Sequence, residues 1–567
     1  MKYYILIITI LTTSLIFNAC QQPIDDMNYS EGDMGDVAIT DSFHLAHMGE
    51  ILFHNKYISA ADYAYNKYID EIDIYLDGRG GMDLYMRAFQ ANSLTNYLKA
   101  LAPEESIDQL LKNGNYQFSF IVDDRLIYTE DVHYGAGIPR SKNANVTLCK
   151  PLHATEKIDS WGWFMWNRFM LRNGGEEALT IGSHVLKIEL RSYLKIKEKK
   201  VSEIIAEGSI TLNIIKNAIE INPENIAIQN IDPHDDFKVS KQEVIHSKIK
   251  ELNIKVANES FLDVTSIVAI KDGNILIEEY FNGSDRSSMH DTRSLGKTVT
   301  GMLVGLAIDK GYIIDENQTL STFYNFYSYE NKSKTKSNIT IKDLLTMTSL
   351  LDGSDMDPNS SGNEDKIQES EDWMDHVLNL GLKSSDQDKK WDYFTGGTML
   401  LGDIVDKSVP NGIEQMAMDY LFEPLNIKSP KWFYTPQSLA YGGGGLQMTT
   451  LDLAKLGMLY QNNGKWNNEQ IISQKWVEKS LSKHISLPQD MNGTYGYLWY
   501  NKNIISENQL YHISYAAGNG GNMLFIFHDI PLIVVITATA YNTMKGSVQG
   551  FKMLSKYILP SINLEKK

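Results

Sequence analysis

A dense apolar stretch shortly after Ser294 constrains the fold of this chain more than any other feature. The apolar side chains are Val299, Met302, Leu303, Val304, Leu306, Ala307 and Ile308. They are too closely spaced to form a single stripe, and a helix that is apolar on all sides belongs inside a large domain. The sequence therefore predicts a buried helix of about 16 residues that starts at Ser294 and ends at Gly311, a residue suited to a helix C-terminus.

Ser294 and Lys297 stand at the start of this helix, three residues apart. On a helix, this spacing brings both side chains to one face, about one turn apart. A serine hydroxyl is a weak nucleophile unless a base lies beside it. A lysine amine becomes such a base when burial lowers its pKa. We therefore predict that Ser294 is a nucleophile and that Lys297 accepts its proton.

The pattern Ser-x-x-Lys alone is common by chance. In this chain it begins at Ser192, Ser247, Ser294, Ser333 and Ser480. Only Ser294 opens a strongly apolar helix, whereas the other four lie in polar, lysine-rich or strand-like stretches. Because a buried helix removes the lysine from water, this context selects the pair at 294 and 297.

A chain of 567 residues is long enough for two or three domains. Alternating strand patterns, such as 116–122 followed by an Asp-Asp turn, predict a β-rich, sandwich-like domain over 46–220. Residues 221–240 combine prolines with scattered Asp and Asn and are predicted to be a linker. Three tryptophans of the first domain could line a ligand groove, although core packing explains them better. They are Trp161, Trp163 and Trp166.

Residues 241–567 combine helix and strand patterns and are predicted to form a second, mixed domain. Val264–Lys271 and Asn274–Phe281 are predicted strands, and the Asp-Gly pair between them is a strong hairpin signal. Further strands are predicted at 495–500, 523–528 and 532–539.

The first residues of the chain resemble the signal peptide of a bacterial lipoprotein. Residues 1–19 have a short positive start, an apolar run and a small residue before Cys20. In such proteins this Cys is acylated, so Cys20 is the predicted lipid anchor and the membrane a predicted partner. Polar residues 20–45 are predicted to be a flexible tether. The expected location is the bacterial cell envelope outside the cytoplasm, in the periplasm or at the outer membrane.

The formal net charge of −18 argues against a nucleic-acid partner, which would require a basic face. The chain shows no His-Glu-x-x-His spacing and no Gly-rich phosphate loop after a strand. No metal or cofactor is therefore expected.

Five segments after the nucleophile follow the motif order of the serine β-lactamase-related family, which includes class C β-lactamases, D-alanyl-D-alanine carboxypeptidases and related esterases. The segments are ITIKDLLTMTSLLDG (339–353), WDYFTGGTMLLGDIV (391–405), YGGGGLQMTTLDLAKLGMLYQNNGKW (441–466), YGYLWY (495–500) and YAAGNGG (515–521). Together with Ser-x-x-Lys, they make residues 240–560 resemble this family. The resemblance implies a transpeptidase-like α/β (α+β) domain, in which an antiparallel sheet is flanked by helices and the active site lies beside a helical lobe.

The resemblance also implies roles for individual residues. Ser294 would be acylated and Lys297 would be its base. Tyr393 matches the family tyrosine, which passes the proton to the leaving group. The backbone N–H groups of Ser294 and Asn519 would form an oxyanion hole for the tetrahedral intermediate.

Two positions depart from the family pattern. Thr395 stands where an Asn would hold the substrate amide and the lysine, and a hydroxyl replaces only part of an amide's hydrogen bonding. Ala516, at the start of Ala-Ala-Gly518, stands where a cation would bind a substrate carboxylate. Losing that charge-assisted contact could cost about 1.5–3 kcal/mol. The departures favour an esterase, amidase or peptidase over an efficient β-lactamase.

The sequence thus predicts a serine hydrolase that acts through an acyl-enzyme on a small-molecule or peptide substrate. One alternative from another class stays open. In that alternative, the chain is a catalytically weak, penicillin-binding-like lipoprotein that serves as a binding or sensor module of the cell envelope.

Overall fold

The computed structural model describes residues 38–59, 62–65, 67–75, 83–132, 142–143, 146–153, 161–215, 221–329, 331–357, 360–383, 389–488 and 491–562. The chain divides into two compact units, residues 1–218 and 219–567. The predicted signal peptide, Cys20 and the tether up to residue 37 lie outside the described residues. The remainder of the predicted tether contains a short helix, Ser42–Ala46, capped by the side chain of Asp41.

Two sheets form most of the first unit. The strand order of the larger sheet is Glu71–Tyr75, Ala206–Ile215, Gly182–Lys195, Gly114–Val122 and Arg125–Asp131, and Lys199–Val201 also pairs with Gly182–Lys195. The smaller sheet has the order Ile51–His54, Leu84–Phe89 and Thr147–His153. Asp123 and Asp124 form the predicted turn, and both have positive φ, 47° and 61°.

Helices in the first unit were not predicted by its strand pattern. They are Leu94–Leu101, Ile107–Asn113, Trp161–Arg172 and Gly175–Ala178, with a 3₁₀ turn at Tyr63–Tyr65. Trp166 and Phe169 pack on Phe120 of the larger sheet, and the Phe120 and Phe169 ring centroids are 4.6 Å apart. Trp166 is therefore a core residue, whereas the side chains of Trp161 and Trp163 lie outside the described part of the chain.

The second unit is built on a sheet with nine described strands. Their order is Lys238–Val239, Asn274–Tyr280, Val264–Lys271, Leu532–Ala538, Asn522–Phe527, Gln509–Gly518, Tyr500–Ser506, Thr494–Tyr495 and Ile485–Ser486. All neighbours are antiparallel except the first pair, which is parallel. The first strand lies within 221–240, the predicted linker, and this segment belongs to the second unit.

Two hairpins show how well local sequence predicts this sheet. Asp272 and Gly273 have φ of 51° and 75°, so both adopt the left-handed conformation that a tight two-residue hairpin needs. Glu507 and Asn508 do the same, with φ of 47° and 66°. They join two strands, Tyr500–Ser506 and Gln509–Gly518, for which the sequence analysis made no prediction.

Side chains on the two faces of the sheet enter two different cores. Val268 and Ile270 face the core that contains the apolar helix after Ser294, whereas Ile267 and Ala269 face the core behind the sheet. This alternation is the period of two expected of a strand that is covered on both faces.

The remaining elements flank the sheet or form the helical lobe. The helices are His246–Ala257, Lys297–Asp309, Lys334–Ser337, Ile341–Leu345, Glu364–Gln368, Trp373–Asn379, Thr395–Ser408, Gly412–Ala417, Thr450–Gln461, Gln474–Leu481, Met544–Met553 and Leu559–Ser561. The 3₁₀ turns are Pro223–Asn225, Arg293–Gly296, Leu320–Thr322 and Phe326–Ser328, and π-helical turns occur at Met418–Phe422 and Leu554–Ile558. The smallest strands are His290–Asp291, Lys431–Trp432, Leu446–Met448, Lys465–Trp466 and Glu469–Gln470. No described helix is long and apolar enough to cross a membrane.

The buried helix after Ser294 is confirmed, with one difference at its start. A 3₁₀ turn at Arg293–Gly296 precedes the α-helix, which runs from Lys297 to Asp309. Gly311 follows it with a φ of 78°, as expected of a residue that terminates a helix. Ser294 therefore lies on the 3₁₀ turn, where side chains three positions apart eclipse each other.

Candidate active site

A small sheet holds the segment that leads to Ser294. His290–Asp291 pairs with Leu446–Met448, which also pairs with Lys431–Trp432. The next residue, Thr292, donates a 2.7 Å hydrogen bond from Oγ1 to the carbonyl oxygen of Leu446. The turn that carries Ser294 is thus anchored to the chain that follows the glycine-rich segment 442–445.

The backbone beside Ser294 is tightly packed and conformationally unusual. Arg293 has a φ of 50°, and its N–H donates to Asp291 Oδ1 at 3.0 Å. A Cβ on Gly444 would lie 2.4 Å from the Arg293 carbonyl oxygen and 3.0 Å from the Ser294 Cα. Only glycine fits there, so Gly444 permits the direct contact between its loop and the nucleophile turn.

Lys297 lies beneath Ser294 and is almost completely buried, with 2% exposure. Its Nζ donates to Ser294 Oγ at 2.9 Å and to the carbonyl oxygen of Gly443 at 2.6 Å. Its Nζ also lies 5.2 Å from the centroid of the Tyr393 ring. The structure therefore brings together the three residues predicted to do the chemistry.

The surroundings of Lys297 act on its pKa in opposite directions. Burial alone lowers its pKa, but Tyr393, Glu364 and Asp355 raise it more strongly, so the net pKa lies above its ordinary value. Burial therefore acts on the Lys297 pKa in the expected direction, and the neighbouring charges oppose it. These charges favour the protonated amine, which donates to Ser294.

Two carboxylates that the sequence analysis missed lie close to this lysine. Asp355 accepts hydrogen bonds from the N–H of Thr395 (2.7 Å) and the N–H of Glu364 (2.9 Å). Glu364 accepts from the hydroxyl groups of Tyr441 and Thr395. Burial raises the pKa of Asp355, although Thr395 and Lys297 oppose that shift. No sequence signal identifies the pair, because its members are nine positions apart and far from Lys297 in the chain.

Thr395 is not exposed to the cleft as a substrate contact would be. Its side chain is completely buried, and Oγ1 points to Glu364 Oε2 at 3.3 Å. Thr395 is the first residue of the Thr395–Ser408 helix, and its backbone N–H donates a hydrogen bond to Asp355. Thr395 therefore donates hydrogen bonds to the two carboxylates, Asp355 and Glu364. The family Asn at this position would instead hold the lysine and the substrate amide.

Tyr393 is half-buried at the edge of an aromatic cluster. The Trp391 centroid lies 6.0 Å from Tyr393, 5.7 Å from Tyr495 and 6.3 Å from Tyr500. The carbonyl oxygen of Tyr393 accepts from the N–H of Asp355 at 2.8 Å. The ring contact and the backbone hydrogen bond fix the position of Tyr393.

The end of the Gln509–Gly518 strand packs directly on the nucleophile turn. A Cβ on Gly518 would lie 2.1 Å from the carbonyl oxygen of Thr292, so only glycine fits. Asn519 follows, and its side chain exchanges hydrogen bonds with Asn542 at 2.8 and 2.9 Å. Across the described ranges, the backbone N–H groups of Ser294 and Asn519 donate to no acceptor. Both remain available to a ligand oxygen.

Ala516 lies on the same strand, opposite Leu524, and is 2% exposed. Its methyl group belongs to the core on the nucleophile side of the sheet. The position that would hold the family cation is therefore apolar in space as well as in sequence.

The nearby histidines have other partners. His290 is buried against Thr265, and burial lowers its pKa to about 4. His512 is exposed and lies 3.0 Å from Asp529. Among the described residues, no three His, Cys, Asp or Glu side chains are grouped so that they could hold a metal ion.

The family model for Beta-lactamase matches residues 263–551, about half of the chain. The chain belongs to the beta-lactamase family. This is a family of serine hydrolases, and the matched segment contains every residue of the site described above. No curated protein matches the chain.

Solved structures that are similar to the chain have low sequence identity to it. A class C beta lactamase from Rhodobacter sphaeroides is 14% identical, with 55% of this chain and 99% of that chain covered and a TM-score of 0.43. An octameric penicillin-binding protein homologue from Pyrococcus abyssi is 18% identical, with 56% and 79% covered and a TM-score of 0.43. EstCE1, a hydrolase with promiscuous acyltransferase activity, is 11% identical, with 55% and 98% covered and a TM-score of 0.45.

Proposed function

We propose that this protein is a serine hydrolase that forms an acyl-enzyme on Ser294. The observation that carries the proposal is the 2.9 Å hydrogen bond between Lys297 Nζ and Ser294 Oγ. A buried lysine in contact with a partly exposed serine is the arrangement that activates a hydroxyl for attack.

Because the charges around Lys297 favour its protonated form, we assign it the role of a relay instead of a free base. Ser294 Oγ attacks the carbonyl carbon of an ester or amide. As the bond between this carbon and the leaving group breaks, the Tyr393 hydroxyl protonates the leaving group and takes a proton from the Lys297 ammonium group. The amine formed in this way takes the proton of Ser294. Lys297 and Tyr393 end with the protons they began with, the proton of Ser294 is in effect transferred to the leaving group, and Ser294 carries the acyl group. Water then hydrolyses this acyl-enzyme by the reverse relay.

The open N–H groups of Ser294 and Asn519 support the same assignment. In the tetrahedral intermediate, the carbonyl oxygen becomes negative and needs donors that are already oriented. Gly518 lies against the nucleophile turn, so the strand end and the turn form one rigid frame for these donors.

The substrate class follows from the residues around the cleft. The apolar Ala516 offers no charge to a carboxylate on the strand side, and Tyr393 lies at the edge of an aromatic cluster. We therefore propose esters, amides or peptides as substrates, with β-lactams as poor ones.

The proposal is tested with the full chain purified in detergent and its Ser294→Ala variant. A fluorophosphonate probe should label Ser294 in the wild type and leave the variant unlabelled. Hydrolysis of p-nitrophenyl butyrate should fall by at least about 10³-fold in the variant. A chromogenic cephalosporin should be turned over much more slowly than the ester.

Fast turnover of the cephalosporin would contradict the inference from Ala516. If Ser294 is not labelled and no ester is hydrolysed, the hydrolase proposal is wrong, and the binding or sensor alternative replaces it.

We also propose that Cys20 carries a lipid that anchors the protein in the bacterial cell envelope. The proposal rests on the sequence around Cys20, which lies outside the described residues. Labelled palmitate should be incorporated into the wild type and not into a Cys20→Ala variant. Incorporation into both would contradict it.

A further inference from the structure

The strand has no cation at Ala516, but the nucleophile turn carries one. Arg293 precedes Ser294 directly, and its side chain is 47% exposed. Consecutive Cα atoms are about 3.8 Å apart, so the Arg293 side chain starts from the backbone next to the reacting serine.

Three contacts fix the Arg293 side chain before any ligand binds. Nε forms an ion pair with Asp291 Oδ2 at 2.8 Å. The guanidinium carbon lies 4.6 Å from the centroid of the Tyr541 ring, in a cation–π contact. The N–H of Arg293 donates to the other oxygen of Asp291. A side chain held in this way loses little conformational freedom when it binds a ligand.

The same side chain lies next to the proposed oxyanion donors. A Cβ on Gly518 would be 3.2 Å from Arg293 Cβ, so the arginine begins beside the strand end that leads to Asn519. Tyr541, beneath the guanidinium, precedes Asn542, which holds the Asn519 side chain. Within the described part of the chain, the two Nη groups of Arg293 make no hydrogen bond.

We propose that Arg293 binds a carboxylate of the substrate and so supplies, from the nucleophile turn, the charge that the strand lacks at Ala516. The inference rests on the proposed hydrolase function, because it places the carboxylate on the molecule that acylates Ser294. A guanidinium matches a carboxylate with two parallel hydrogen bonds, and Nη1 and Nη2 are the groups left to make them. Asp291 orients the guanidinium from the Nε side and leaves its outer edge to the ligand.

The test compares esters that differ only in one carboxylate. Phenyl butyrate is the neutral ester, 3-butyryloxybenzoate carries the charge on the leaving group, and monophenyl glutarate carries it on the acyl group. The wild type should prefer at least one charged ester by kcat/KM. In Arg293→Asn, the ratio of charged to neutral kcat/KM should fall at least about tenfold, the size of a lost charge-assisted contact.

The choice of variants separates recognition from folding. Asn tolerates the left-handed backbone at this position, so Arg293→Asn removes the charge without adding strain. Arg293→Lys keeps the charge but lacks the paired N–H donors of a guanidinium, so it should retain part of the preference for the charged ester. Lys310→Gln is the matched control, because Lys310 is also a surface cation over a tyrosine ring, that of Tyr420 at 4.5 Å. It should leave the ratio unchanged.

A measurement without turnover makes the test independent of the chemistry. In a Ser294→Ala background, the preferred charged ester should bind at least about tenfold more tightly than phenyl butyrate, and Arg293→Asn should remove that difference. Equal affinities, or a ratio that Arg293→Asn does not change, would overturn the role of Arg293. If the wild type hydrolyses no ester but still binds the charged one through Arg293, the hydrolase proposal fails and the carboxylate site stands.

Discussion

Glu279 is a buried acid whose charge should limit stability at neutral pH. It lies on the Asn274–Tyr280 strand and is 1% exposed. Its carboxylate accepts from Asn253 Nδ2 at 2.8 Å and from the N–H of Gln229 at 3.2 Å. Among the described residues no cation forms an ion pair with it. Burial, assisted by the neighbouring Glu278, therefore raises the pKa of Glu279 to about 7.

The size of the effect follows from the two pKa values. In the unfolded chain Glu279 loses its proton near pH 4.5, its ordinary value, and in the folded protein near pH 7. Between these values the folded state keeps a proton that the unfolded state has released, so raising the pH favours unfolding. A shift of about 2.5 units at 1.36 kcal/mol per unit gives a loss of about 3 kcal/mol between pH 4.5 and pH 8.

Glu279→Gln should remove this loss, because the amide stays neutral at every pH. We expect the free energy of unfolding of the variant, relative to wild type, to rise by about 3 kcal/mol from pH 4.5 to pH 8. Urea unfolding followed by tryptophan fluorescence at several pH values measures the difference. Glu278→Gln is the control, since Glu278 is paired with Arg286 and its loss should destabilise the protein at pH 8. A pH-independent difference for Glu279→Gln would refute the reasoning.

Three further predictions concern the active site. In Gly518→Ala, the added methyl would collide with the Thr292 carbonyl and push the strand away from the nucleophile turn, so kcat for ester hydrolysis should fall at least about 100-fold. In Glu364→Gln, loss of a negative charge lowers the pKa of Lys297, so the alkaline limb of the kcat/KM profile should move to lower pH if the ammonium is the working form. Thr395→Asn restores the family motif but enlarges a completely buried side chain, so it should lower Tm without raising activity.

Local patterns predicted the elements whose conformation depends on few residues. The Asp272–Gly273 hairpin needs only two residues in the left-handed region, and their identity predicts it. The helix after Ser294 needs only a sufficient density of apolar side chains, and those side chains are buried in the structure. The Trp161–Arg172 helix could not be predicted in this way, because its place depends on packing against Phe120, more than 40 positions earlier in the chain.

The charge state of the site depended on residues that no motif contains. The spacing of Ser294 and Lys297 predicted their contact, and the structure places the two side chains 2.9 Å apart. The same spacing said nothing about Asp355 and Glu364, which reach Lys297 only through the tertiary fold. Because burial and charge act on the lysine in opposite directions, its pKa could not be predicted from burial alone.

The position of a charge matters more to recognition than the motif in which it occurs. A substrate carboxylate responds to donors within hydrogen-bonding reach, whichever element supplies them. In the family pattern, a cation stands at the position of Ala516. The alanine of this chain therefore predicts weaker recognition of substrates that carry a carboxylate. The fold places the Cβ of Arg293 beside Gly518, at the end of the same strand, and its guanidinium over the ring of Tyr541. A charge lost from the strand can thus be offset by one on the neighbouring nucleophile turn, and discrimination between charged and neutral esters measures whether this chain does so.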